Sequence, residues 1–157
     1  MPRIGVTGHV ALADGTAQLV YECLTRQLRG YPGAELQGIT CLAEGSDQLF
    51  ARAVLAAQGT YEVVLPAADY RERVIDRNAF DELVRRASAV SYMPFAHSDR
   101  DAYLAASQEL LRRSELLLAV WDGNPSTVRG DTADVVRTAR AWGVPVTVLW
   151  PTGARRG

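Results

Sequence analysis

Three turns in this 157-residue chain pair glycines with side chains able to hold or cleave a small polar ligand. The first, Gly5-Val6-Thr7-Gly8-His9, follows an apolar run. Glycine there lets backbone amides approach an anion, and a helix starting just beyond would offer its positive N-terminus. The pattern is GxxGH, so the dinucleotide fingerprint GxGxxG is not met, and an ordinary strand-to-helix turn needs no ligand. The second turn is Ala43-Glu44-Gly45-Ser46-Asp47. Ser46 or Asp47 suits a helix cap. Glu44 is left over, and a bidentate acceptor beside a strand end suits ribose hydroxyls, a solvated loop acid being the plain alternative.

The third turn carries the strongest signal. Trp121-Asp122-Gly123 leads through Asn124-Pro125-Ser126 to Arg129-Gly130-Asp131-Thr132-Ala133-Asp134. A glycine, a hydroxyl and free amides at a helix start make a phosphate cradle, to which Arg129 would add a charge-assisted contact. Asp131 or Thr132 also reads as an N-cap, with Asp134 placed favourably for the helix dipole. Glu44 and Asp134, with Asp122 third, are candidate carboxylates for cleaving an N-glycosidic bond. One would stabilise positive charge developing on the sugar while another orients or deprotonates water. Further aromatic and imidazole groups follow two later strands, at Asp69-Tyr70, His97 and Tyr103. Tyr103 could stack on a base or simply be the packed face of its helix. His9 and His97 lack partners at metal-ligand spacing, so neither a metal nor a cofactor is implied.

These turns need a scaffold that gathers them on one edge. Strand-like runs occur at 4–6, 36–41, 61–65, 90–93, 116–121 and 144–149, most of them continuously apolar, as strands buried on both faces of a parallel sheet are. Helical spacing lies between them, at Leu19, Val20, Cys23 and Leu24, at Leu49, Phe50, Ala53 and Val54, and at Phe80, Leu83, Val84 and Ala87. Two more helices are expected near 101–113 and 132–142. Strand and helix alternate, which predicts right-handed crossovers in an open α/β, Rossmann-like, doubly wound sheet of about six mainly parallel strands with helices on both faces. In such a sheet ligands lie outside the carboxyl ends of the strands. One domain over 1–150 is expected, with 151–157 as a loose C-terminal tail.

Composition bounds the partners. All 17 basic residues are Arg, and they stand against 18 acidic ones for a formal charge of −1. No global basic field gathers nucleic acid or anionic membrane, so nucleic acid is not an expected partner. The N-terminal sequence lacks the apolar run of a signal peptide and no stretch reaches the length of a spanning helix, so a cytoplasmic protein is expected. Cys23 and Cys41 read as reduced core residues.

The segments GVTGH, LAEGSDQL, VVLP with a following DY, AYLAAS, LLLAVWDG, RGDTADVVRTAR and GVPV, in this order from Ile4 to Trp150, resemble the SLOG superfamily. That superfamily is named for the DNA-processing Smf proteins and the Lonely Guy enzymes. The resemblance implies a Rossmann-like domain with a nucleotide-like ligand over the glycine turns, at Gly5, Thr7, Gly8, His9, Gly45, Ser46, Asp47, Gly123 and 129–133. It also implies a homodimer. Some members sense nucleotides, and others release a base from a nucleoside 5′-monophosphate. Lonely Guy enzymes carry PGGxGT followed by a catalytic Glu, and Asp134 takes only the approximate place of that acid. Nucleoside deoxyribosyltransferases end in a similar turn. Relatives nearer this pattern read GVTGHR and GGTAD, whereas this chain has Val10 for the Arg and Asp131 for the second Gly. Val10 removes a cation and Asp131 adds an anion, so the phosphate site is weakened or the ligand is a less anionic nucleoside or base. Three outcomes stay open: a nucleotide-binding module read by a partner protein, an N-glycosidase, or an assembly protein that dimerises through 80–87 and 103–111.

Overall fold

The apolar runs form six strands: β1 Arg3–Gly8, β2 Gln37–Thr40, β3 Thr60–Leu65, β4 Ala89–Tyr92, β5 Leu116–Val120 and β6 Val146–Leu149. In the computed structural model, which describes residues 2–124 and 131–157, they make one sheet in the order β4-β3-β2-β1-β5-β6. Every neighbouring pair is parallel, with Ile4 opposite Gly38 on one side and Leu116 on the other. The α/β, Rossmann-like arrangement expected from the sequence is the one found.

The helices are α1 Thr16–Leu28, α2 Ser46–Ala56, α3 Tyr70–Arg73, α4 Arg77–Arg86, α5 Arg100–Arg113 and α6 Thr132–Ala141. They cover both faces of the sheet, and the buried strand side chains go to two cores. Tyr61, Val63, Leu65, Leu118 and Val120 pack with Val20, Leu24, Phe50, Phe80 and Leu83 on the α1, α2 and α4 side. Val64, Leu117 and Ile39 pack with Ala106, Leu110, Leu111, Val135 and Ala139 on the α5 and α6 side. Two covered faces explain why the strands read as continuous rather than alternating apolar runs. Cys23 and Cys41, both free, are half-buried against these cores.

Two expectations change. Phe80 and Leu83 are buried in the protein's own core, so the 80–87 stripe is not a free dimer face. Residues 151–157 are not loose. Ala13 N donates to Arg155 O at 2.9 Å, Gly157 N to Ala11 O at 3.0 Å and Arg155 N to Thr16 Oγ1 at 3.0 Å, while Leu12 and Arg156 form an antiparallel bridge. The segment is thereby stitched to the loop after β1. Among the described residues no helix is long and apolar enough to cross a membrane.

Candidate functional site

The chain runs outward from β1 through β2 and β3 to β4, then returns to place β5 on the other side of β1. Such a reversal opens a crevice at the carboxyl edge, because the two flanking connections leave on opposite faces. A cavity of about 400 Å³ lies there, and Thr7, Gly8 and His9 of the central turn line it. Asp47, Tyr70 and Tyr103 stand towards β2 and β3, and Asp131, Thr132 and Arg156 towards β5. Three of the expected turns thus meet in one place.

Their glycines mostly serve packing. A Cβ on Gly8 would stand 2.5 Å from Ser46 Cβ, and one on Gly45 would stand 2.2 Å from the Val10 carbonyl oxygen. Gly45 also has φ of 79°, a left-handed conformation that favours glycine. The first and second turns are therefore pressed backbone to backbone. Ser46 completes the seam, its N–H and hydroxyl both donating to His9 O at 3.2 and 2.8 Å. This corrects the expected capping: α2 starts at Gly45 with no side-chain cap, because the Ser46 hydroxyl is taken by the neighbouring turn. Gly5 lies within β1 beneath α5, where a Cβ would meet Ser114 Oγ at 2.3 Å, away from the cavity wall.

Asp47 does not cap the helix either. Its Oδ2 accepts from Ala43 N at 3.2 Å, and the residue is 6% exposed. Burial pushes the carboxyl up to about 7, only partly opposed by the Ala43 N–H. The Cys41 thiol and the Tyr70 hydroxyl beside it are pushed up chiefly by the same burial and secondarily by the Asp47 charge. Tyr70 is buried and meets Tyr103 edge-on at 6.1 Å between ring centroids, while Tyr103 is partly exposed over the cavity. Asp69 fixes the approach of these rings, accepting from both Ser98 N and Ser98 Oγ at 2.7 and 2.6 Å and so tying the turn before α3 to the loop before α5.

The β5 side is built around His9, which is 7% exposed. Burial first and the nearby Arg156 second hold its pKa below 6.5, so the ring is neutral at pH 7 and Nε2 accepts from Asp122 N at 3.2 Å. Asp122 Oδ1 lies 3.4 Å from the same nitrogen, and Arg156 Nη1 lies 3.8 Å from Asp122 Oδ2. Partial burial raises the Asp122 carboxyl, but the Asn124 N–H, His9 and Arg156 outweigh it and the net direction is down. Gly123, at φ of 85°, turns the chain there. Asp131 is the N-cap of α6, accepting from Asp134 N at 3.3 Å, as one reading of the sequence expected. Arg129 and Gly130 lie outside the described residues.

The expected carboxylate trio is not assembled in the cavity. Glu44 Oε1 accepts from Ile75 N at 3.0 Å and so holds the connection between α3 and α4. Asp134 pairs with Arg137 one turn along α6 and borders a shallow recess between α5 and α6. Asp122 engages His9, and Ala133 is buried in the first turn of α6. The carboxylates that line the cavity are Asp47 and Asp131. Sequence reasoning also passed over Arg156, which lines the same cavity as Val10 and brings a guanidinium to it.

The solved structures most like this chain share its fold. DNA processing protein A (DprA) from Streptococcus pneumoniae superposes with a TM-score of 0.71 and 16% identity, covering 98% of this chain and 52% of that one. The chain therefore spans about half the length of DprA. TM1055 gives a TM-score of 0.62 with 19% identity over 93% of this chain and 72% of that one. The molybdenum cofactor binding protein of the phototrophic bacterium Rippkaea orientalis gives 0.64 with 18% identity, over 96% and 77%. The shared fold is thus the Rossmann-like α/β fold expected from the sequence. No family model and no curated protein matches the sequence.

Proposed function

We propose that this chain binds a nucleotide- or nucleoside-type small molecule across the carboxyl edge of its sheet. The observation that carries this is one cavity, at the reversal of strand order, with two ends of opposite chemistry. Tyr70, Tyr103 and the buried Asp47 offer a flat, largely apolar end for a ring. The start of α6 and the Arg156 guanidinium offer amides and positive charge for a phosphate. About 400 Å³ falls within the range of small-ligand pockets. Arg156 supplies a cation near the place where Val10 lacks one, which supports a phosphate-bearing ligand despite that departure.

Hydrolysis by a Glu44–Asp134 pair is not carried forward, because both carboxylates are engaged away from the cavity. A homodimer belongs with the resemblance, and sedimentation of the purified protein tests it. The binding experiment is calorimetry with the four common nucleosides, their 5′-monophosphates and a single-stranded oligodeoxynucleotide, the last because DprA is a DNA-processing protein. Saturable binding of a monophosphate, tighter than its nucleoside, is the expected result. Silence across the nucleosides and monophosphates overturns it, and chromatography of the same mixtures for free base reads out any turnover.

A further inference from the structure

Several of the protein's partly buried carboxylates are met by more than one donor or cation. Glu62 is flanked by Arg3 and Arg113, each at 3.1 Å, and Glu109 by Arg112 and Arg113. Asp69 holds Ser98, and Asp122 has Asn124, His9 and Arg156 around it. Asp47 differs from them in burial: at 6% exposed it is the one carboxylate among the described residues that is fully buried, and it takes a single hydrogen bond, on Oδ2 from Ala43 N. No described residue offers its Oδ1 a partner, and the residue lines the cavity.

Building on the binding function proposed above, we infer that Asp47 selects the ligand's ring. It does so as a neutral carboxylic acid whose Oδ1–H donates one hydrogen bond to a ring nitrogen or carbonyl oxygen of a heterocycle lying against Tyr103. The groups that face Asp47 make the neutral form the stable one. They are Cys41 at the end of β2 and Tyr70 of α3, with Tyr103 and Glu44 around Tyr70 and Arg113 of α5 acting on Cys41. Among the described residues no cation pairs with the Asp47 carboxyl itself, so its ionised form would be largely buried without a counterion. Among the described residues the cation lining the cavity, Arg156, belongs to the β5 side with His9 and Asp131. Burial holds the Asp47 carboxyl up to about 7, so near neutrality a substantial share of the protein has a proton to donate. With Oδ2 engaged by Ala43, one donor is on offer, and a ring presenting only N–H groups to this wall is rejected.

Nucleosides test this without the phosphate, whose second ionisation near pH 6 would blur the profile. Adenosine, guanosine, cytidine and uridine are titrated into wild type, Asp47→Asn and Asp47→Ala from about pH 5.5 to about 8.5, either side of the pKa of about 7. The tightest-binding nucleoside should hold its affinity below about pH 7 and lose it above, approaching tenfold per pH unit. In Asp47→Asn the amide oxygen still accepts from Ala43 N and the amide nitrogen still donates. That variant should bind within about threefold of the acid-side value and show no inflection near 7, whereas Asp47→Ala should lose about tenfold or more on the acid side. His9 remains in both variants, so an inflection surviving in Asp47→Asn belongs to His9 and counts against Asp47. Affinity that is flat or rises with pH in wild type, or an Asp47→Ala variant that binds as wild type does, overturns the role of Asp47 while leaving nucleoside binding standing. A wild type that binds 5′-monophosphates but no nucleoside likewise overturns only the role of Asp47, and one that binds neither overturns both.

Discussion

The two ends of the sheet treat charge differently. Towards the amino ends of the strands, Arg3 of β1 donates to Glu62 of β3 and to the Arg113 carbonyl at the end of α5, and Arg113 reaches Glu62 and Glu109 at 3.1 and 2.8 Å. These charges have close opposite partners, and the network ties β1, β3 and α5 together. At the carboxyl ends the contacts are looser or fewer. Arg156 stands 3.8 Å from Asp122, and Asp47 is buried with one backbone donor. A matched network serves the fold, whereas charge and burial left incompletely answered around a cavity are what a ligand can complete.

Breaking this contrast should change stability at one end and binding at the other. The largest effect is expected at Asp47. Its carboxyl titrates near 3.8 when unfolded and near 7 when folded, so the folded state keeps the proton longer. Stability is full below about 3.8, declines as pH rises and reaches its floor above about 7. Asp47→Asn removes that decline and should stabilise the protein at pH 8 by on the order of 4 kcal/mol, with no gain near pH 3.5, read by urea unfolding at the two pH values. An equal effect at both would show that Asp47 is not held neutral by the fold.

Gly45→Ala comes next. The new Cβ meets the Val10 carbonyl at 2.2 Å in a left-handed conformation, so the seam between the first two turns must open. A loss of about 3 kcal/mol is expected in chemical denaturation, together with loss of nucleotide binding. Glu62→Gln probes the other end. It leaves Arg3 and Arg113 facing a neutral, partly buried amide, and should cost about 1 kcal/mol while nucleotide affinity stays unchanged. The smallest stability change, within about 0.5 kcal/mol, is expected of Arg156→Ala, since the bridge and the hydrogen bonds of its segment are made by backbone. Its affinity for a 5′-monophosphate should nonetheless fall about tenfold and its affinity for the nucleoside stay level. A nucleoside loss as large as the monophosphate loss would place Arg156 outside the phosphate end.

Much of the scaffold was legible because burial on both faces writes itself into composition. The runs at 61–65 and 116–121 are apolar at nearly every position, and they became strands shared between two cores. Less legible was the single turn of α3, too short to show a period. The docking of 151–157 was hidden for another reason: its ties are mostly backbone hydrogen bonds, which leave no mark on residue type. At the cavity, the three turns singled out in the sequence come together, but not every one of their expected residues lines it. Glu44 and Asp47 are both acids of one turn, and nothing in their spacing says that the first faces Ile75 while the second is buried at the cavity.

The order of strands and helices, the two-sided burial and the glycines needed where turns press together were determined by the sequence alone, because apolar area and backbone sterics act locally and repeat along the chain. Tertiary structure alone decided that Asp47 would be buried with a raised pKa, that His9 would meet Asp122, and that a guanidinium from the far end of the chain would line the cavity. Those properties come from desolvation and from charges brought together through space. Both depend on distances that sequence separation does not encode.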